Sequence, residues 1–313
     1  MSLRAQDAVV DSALRWILRP AQGAVQYNYV MTARVRLLLF WVGSDDVGGG
    51  YIRRSSSTAD SNVRLIEVLF GSDPAKAPRR INHWGAATEA FDNRSSSMLG
   101  FMKSAKTGSA SDAEAEIRRQ SEKGEHPFDA LLSIAQPDRA FARKTSLISD
   151  TDLDIHHLAK AQELAVHQLQ RQGKVRELSG PALQCAGGRG FLQTIDDLTV
   201  LALHRETPGA TPLSRCYVYN AKNYTLTLKR AERVASKKIE YQLKRSKKGQ
   251  KVEKTYADLM DLEFVVLNQA SEERTEFRMF VGTNGNLRGV PIQIVHQPNW
   301  WFQVVLNLDT VKR

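Results

Sequence analysis

Between Gln26 and Leu39 the chain alternates along its length: Tyr27, Tyr29, Met31, Ala33, Val35, Leu37 and Leu39 share one face, while Asn28, Thr32, Arg34 and Arg36 supply most of the polarity on the other. A period of two over so many residues marks a long strand and excludes a helix. A second strand, "NVRLIEVLF" (Asn62 to Phe70), ends in the turn-forming "GSDPAKAP". The last third returns to strands in "CYVYN", "YTLTLKRAERV", "KKIEYQLKR", "LEFVVLN", "TEFRMFVGT", "VPIQIVHQ" and "WWFQVVLNLD". Short polar turns, "NGN" at Asn284 to Asn286 being the clearest, make an antiparallel meander the economical reading.

Between these segments, about Thr107 to Glu206 reads as helical and polar. "SASDAEAEIRRQSEKG" has capping residues, Glu114 four residues before Arg118, and Gly124 as a stop. Further helices are predicted from Ser149 or Asp150 to about Gln172 and from about Gly190 to His204, and the N-terminal twenty residues read as an amphipathic helix. The expected fold class is α+β: a large curved antiparallel sheet, half-barrel-like, with the helical middle segment packed on one face. The whole chain, 1–313, is expected to be a single domain, with strand-rich segments 26–103 and 214–309 flanking the helical segment 107–206.

"FWVGSDDVGGGYIRR" (Phe40 to Arg54) invites a phosphate or metal reading. A phosphate loop needs glycines between a strand and a helix, whereas these lead into strand-like "YIRR". Calcium loops space their acidic ligands at alternate positions, and Asp45 and Asp46 are adjacent. The expectation is a turn through "GSDD" followed by a glycine-rich bulge that bends the sheet.

Other chemistry is sparse. One helical face carries Asp152, His156, Glu163 and His167, but the opposite Leu158, Ala161, Ala165 and Leu169 make ordinary amphipathicity sufficient, and no metal or cofactor is expected. Cys185 and Cys216 exclude paired CxxC metal sites and leave two free thiols or one disulfide open. No GxSxG, HExxH, SxxK or kinase-type set occurs.

The net charge of +10 is concentrated between Lys229 and Lys254, where eleven Lys or Arg face three Glu. Within it Lys244, Arg245, Lys247, Lys248 and Lys251 are candidates for contact with anionic groups, such as an anionic membrane surface. Tyr241 is the only aromatic there, so nucleic acid is a poor partner. A solvated sheet edge is favoured. The aromatic candidates for an apolar ligand surface are Trp41, Trp84, Trp300, Trp301 and Phe302.

Long strands, a glycine-rich bend, helices between two strand-rich segments and a terminal aromatic strand ("GTNGNLRGVPIQIVHQPNWWFQVVLNLD") together resemble bacterial envelope proteins built on a curved half-barrel, the class of the periplasmic lipoprotein carriers. The resemblance implies export and an apolar cavity that shields acyl chains. The expected function is a non-catalytic binding or carrier protein for an apolar or amphipathic, lipid-like ligand in the bacterial envelope. A thiol- or histidine-dependent enzyme and a basic nucleic-acid-binding protein are the alternatives. No apolar run reaches the length of a transmembrane helix. Localisation is read as periplasmic or secreted for a mature chain, and cytoplasmic if the N-terminus is native.

Overall fold

The computed structural model describes residues 3–37, 40–103, 124–185, 187–204, 212–244, 249–299 and 302–310. Helix α1 (Leu3–Ile17) leads into five strands, β1 (Ala21–Leu37), β2 (Phe40–Ser57), β3 (Arg64–Ser72), β4 (Trp84–Phe91) and β5 (Ser96–Lys103). The middle adds β6 (His126–Ala135), β7 (Arg139–Ser149), α2 (Leu158–Arg171), β8 (Lys174–Ser179) and α3 (Phe191–Leu203). The remainder forms β9 (Leu213–Tyr219), β10 (Lys222–Leu243), β11 (Gln250–Asn268), β12 (Arg274–Gly282), β13 (Pro291–Asn299) and β14 (Phe302–Leu308).

All fourteen strands belong to one sheet, in the order β8-β7-β6-β5-β4-β3-β2-β1-β14-β13-β12-β11-β10-β9. Every neighbouring pair is antiparallel and consecutive in sequence except one. That exception is the seam between β1 and β14, where Tyr29 pairs with Leu308 and Val35 with Phe302. The sheet is therefore two meanders, β1–β8 and β9–β14, fused side by side. It does not close: β8 and β9 are its outer edges.

The two edges are nevertheless drawn together. Cys185, in the segment after β8, is disulfide-bonded to Cys216 of β9, with a Cα–Cα distance of 5.2 Å. The Val218 amide donates to the Arg189 carbonyl at 3.0 Å, and the Asn220 amide donates to the Ser133 hydroxyl of β6 at 3.0 Å. The sheet thus curls until one edge strand lies near β6, as a large sheet with right-handed twist does when its edges are tied.

The predicted helical middle is corrected in part. The segment 107–206 contains β6, β7 and β8 as well as α2 and α3. Residues of β6 are buried on both faces, so "FDALLSIA" lacks the alternation that identifies a half-exposed strand. Helix α2 begins at Leu158, not at residue 149 or 150, because the preceding loop is held by other contacts: the Leu153 carbonyl accepts from Asn82 Nδ2 and Trp84 Nε1. The helix expected near residues 109–124 lies outside the described residues.

The helices are divided between the faces. α1 and α2 pack on one side of β3–β7, where Leu14, Ile17, Leu65, Leu69, Phe101 and Leu169 share a core. Arg143 of β7 ties them, donating to the Leu169 carbonyl at 3.0 Å and to Asp7 of α1 at 2.8 Å. α3 lies on the other face, since the alternate β3 residues Ile66, Val68 and Phe70 point to its side.

β2 runs through "GSDDVGGG" as one strand. The expected turn at "GSDD" is instead a bulge, a register shift opposite Thr32 with Asp46 at φ 48°. Gly48 and Gly50 bring β2 against β3, where a Cβ would collide with the Gly71 and Leu69 carbonyls. The two carboxylates serve β10. Asp45 accepts the Gln242 amide at 3.0 Å, and Asp46 accepts the Lys244 amide at 2.8 Å and pairs with Lys76 at 3.1 Å. "YTLTLKRAERV" and "KKIEYQL" likewise form one strand, β10, which continues past the end of β9 at Leu228. Asp45 and Asp46 thus satisfy backbone donors on the side of β10 that β9 leaves uncovered.

Candidate ligand-binding site

Alternation along β2–β5 and β9–β13 sends one set of side chains into the concavity, and α3 crosses it. The space between them is a half-open cavity of about 610 Å³. Its walls are Ile52, Ile66, Val68, Phe70, Ala87 and Met98 from the first meander, and Val266, Phe277, Met279 and Ile294 from the second. Phe191, Leu192 and Ile195 of α3 complete them. Volume and lining match a small-molecule site.

Three tyrosines form an aromatic ledge. Tyr217 stacks on Tyr224 with ring centroids 5.3 Å apart and lies 5.4 Å from Phe191, and Tyr219 tilts against Tyr224 at 6.2 Å. Burial holds the Tyr217 hydroxyl well above its ordinary pKa and pushes Tyr219 up to about 12. These phenols are neutral at physiological pH, so the ledge itself carries no charge.

Polar groups collect at the two ends. Near Pro291, Arg54 pairs with Asp196 of α3 at 2.9 Å and donates to the Gly289 carbonyl at 3.1 Å. Near His296 the lining residues are Asn268, Glu273 and Thr275.

Helix α3 is seated by a buried carboxylate. Its N-cap, Gly190, has no side chain to offer the first amides. Glu89 of β4, wholly buried, takes that role, accepting from the Leu192 amide at 2.8 Å, the Gln193 amide at 3.1 Å and the Ser96 hydroxyl at 3.0 Å. Burial raises its pKa to about 7, against the opposing pull of the helix amides and Ser96. Gly190 is required by contact rather than by backbone angle, because a Cβ there would run into Glu89 and Ser96.

Of the aromatic candidates, Trp84 is corrected to a core residue. It is buried between Phe101 and Phe128 on the α1–α2 face, and its indole N–H is spent on Leu153. Phe302 is half-buried and does not line the cavity. The Trp41 side chain, Trp300 and Trp301 lie outside the described residues. In the basic segment, Lys244 Nζ donates to Ser44 and the Lys76 carbonyl, and Lys251 pairs with Glu240 and Glu253. Arg245, Lys247 and Lys248 lie outside the described residues.

Asp152 and His156 precede α2, so the four-residue acidic and histidine face does not assemble on it. Among the described residues no group of three His, Cys, Asp or Glu is placed to hold a metal ion. The disulfide leaves neither Cys185 nor Cys216 as a thiolate. No helix among the described residues is long and apolar enough to cross a membrane. Sequence reading missed Tyr217, Tyr219, Tyr224, Glu89 and Arg54. The tyrosines carried a signal in their alternate spacing, but isolated Glu89 and Arg54 carried none.

No protein-family model matches the sequence, and no curated protein matches it. Among solved structures the chain is similar to the crystal structure of a beta-barrel-like protein of domain of unknown function DUF1849 from Brucella abortus. The likeness has a TM-score of 0.32 and 8% identity, over 91% of this chain and 98% of that one.

Proposed function

We propose that the protein is a non-catalytic carrier of an apolar or amphipathic, lipid-like molecule, held in the concavity of the curved sheet. The observation that carries this reading is the 610 Å³ cavity with almost wholly apolar walls. Space of that kind gains free energy from excluding water from hydrocarbon, and its charged groups are confined to its two ends. The disulfide supports an exported location, since such bonds persist in oxidising compartments.

Native mass spectrometry of the protein incubated with a homologous series of monoacylglycerols tests the reading. Each added methylene is expected to tighten binding about fourfold, the equivalent of about 0.8 kcal/mol, until the cavity is filled. Ala87→Phe, which places a ring in the cavity, is expected to cut the longest chain length accepted. Absence of binding at every chain length, with the wild-type protein folded, would overturn the carrier reading.

A further inference from the structure

The apolar cavity borders a polar groove, with the Arg54–Asp196 pair at their junction. A second space of about 470 Å³ adjoins it, and the two share Arg54, Ile66, Asp196 and Gly289 in their walls. Three guanidinium groups line the groove, from β2 (Arg54), the start of β3 (Arg64) and the β12–β13 connection (Arg288). Among the described residues Asp196 is the only carboxylate lining it, and it is already shared between Arg54 at 2.9 Å and Arg64 at 3.2 Å. Arg64 also reaches Asp197 at 3.7 Å and lies over the Phe91 ring.

Arg288 has no carboxylate partner among the described residues. Its guanidinium lies 3.2 Å from His204 Nε2. His204 Nδ1 lies 2.7 Å from the Val200 carbonyl, which assigns the proton to Nδ1 and leaves Nε2 as the acceptor. The contact with His204 therefore brings no negative charge to the Arg288 guanidinium.

Donors are also left over in the cavity wall. Arg54 Nε is buried with no hydrogen-bond partner among the described residues. So is the hydroxyl of Thr199, a residue 3% exposed on the cavity wall. Buried polar groups without partners are rare in folded proteins and mark places where a ligand or water completes the bonding. At the opposite end of the cavity stands Glu273, which repels an anion.

On the carrier reading above, we infer that the ligand is an anionic amphiphile with one polarity of binding: its apolar chain fills the cavity toward His296, and its carboxylate or phosphate head lies in the groove among Arg54, Arg64 and Arg288. Guanidinium forks suit both head groups, because each presents paired oxygens to parallel N–H donors.

The test compares ligands matched in chain and differing in head. Wild-type protein and the Arg64→Gln, Arg288→Gln and doubly substituted variants are titrated with palmitate, palmitoyl-lysophosphatidylglycerol and neutral monopalmitoylglycerol, and separately with inorganic phosphate. Wild type is expected to bind both anionic amphiphiles at least tenfold tighter than the neutral one. The double variant is expected to lose that preference while binding the neutral lipid within a factor of about two of wild type. Its thermal unfolding midpoint is the control that the fold survives.

Equal wild-type affinity for anionic and neutral heads, or a preference that persists in the double variant, overturns the inference and leaves the carrier reading standing. Phosphate binding as tight as the amphiphiles overturns it in favour of a simple anion site. No binding by any amphiphile overturns both readings together.

Discussion

Glu89 joins two requirements in one side chain: it completes the hydrogen bonding of a helix start and does so where water cannot reach. Burial raises its folded-state pKa to about 7, above the ordinary carboxyl range. The folded protein therefore holds the Glu89 proton more tightly than the unfolded chain does. Its stabilising contribution is full below the unfolded pKa and is lost as pH rises through about 7. Relative to Glu89→Gln, wild type is expected to lose roughly 3 kcal/mol of stability between about pH 4 and pH 7.5, read from urea unfolding at each pH. Parallel pH profiles for the two proteins would remove the linkage. Nothing in the sequence marks Glu89, because it sits in an ordinary strand pattern, "WGAATEAF", and the helix amides it caps lie about a hundred residues away. Arg54 was hidden for the same reason: a lone charged residue acquires meaning only from what the fold brings to it.

At the scale of elements, long periodic segments were the most legible. The alternation at Tyr27 to Leu37 became β1, the amphipathic N-terminus became α1, and "NGN" became the connection between β12 and β13. β6 escaped because both its faces are covered, and periodicity is a signal only when one face meets water. The glycine run was rightly read as architecture, but its acidic neighbours have a task that adjacency in sequence conceals. Asp46 accepts the amide of Lys244, a residue on the far meander, from a left-handed backbone position. Asp46→Ala is expected to destabilise the protein by about 2–3 kcal/mol, since a charge-assisted bond is lost and alanine fits that backbone poorly. Asp46→Asn keeps an acceptor and a residue type tolerated there, and is expected to cost about 1 kcal/mol or less. Equal losses for the two in denaturant titrations would show that the acceptor does not matter.

For the whole molecule, a curved antiparallel sheet was legible from strands at both ends of the chain, and the join between those ends is the β1–β14 seam. The tie that draws two edge strands together across the concavity was left open by the sequence, where a disulfide and two free thiols read equally well. The Cys185–Cys216 bond is one such tie, closing a loop with a sequence separation of 31. Replacing both cysteines by serine is expected to lower stability by about 3–4 kcal/mol on the chain-entropy account of such loops. It is also expected to raise hydrogen exchange in β8 and β9 before β3 or β11. Uniform exchange changes across the sheet would show that the bond does not govern the edges.

The seam also dictates an order of events during folding. Of the described strands β1 comes first along the chain, yet its partner on one side, β14, comes last. The first meander can therefore assemble from local contacts, hairpin by hairpin, while the outer side of β1 waits with its backbone groups unpaired. Until β14 docks, that side is an open template for any other extended chain.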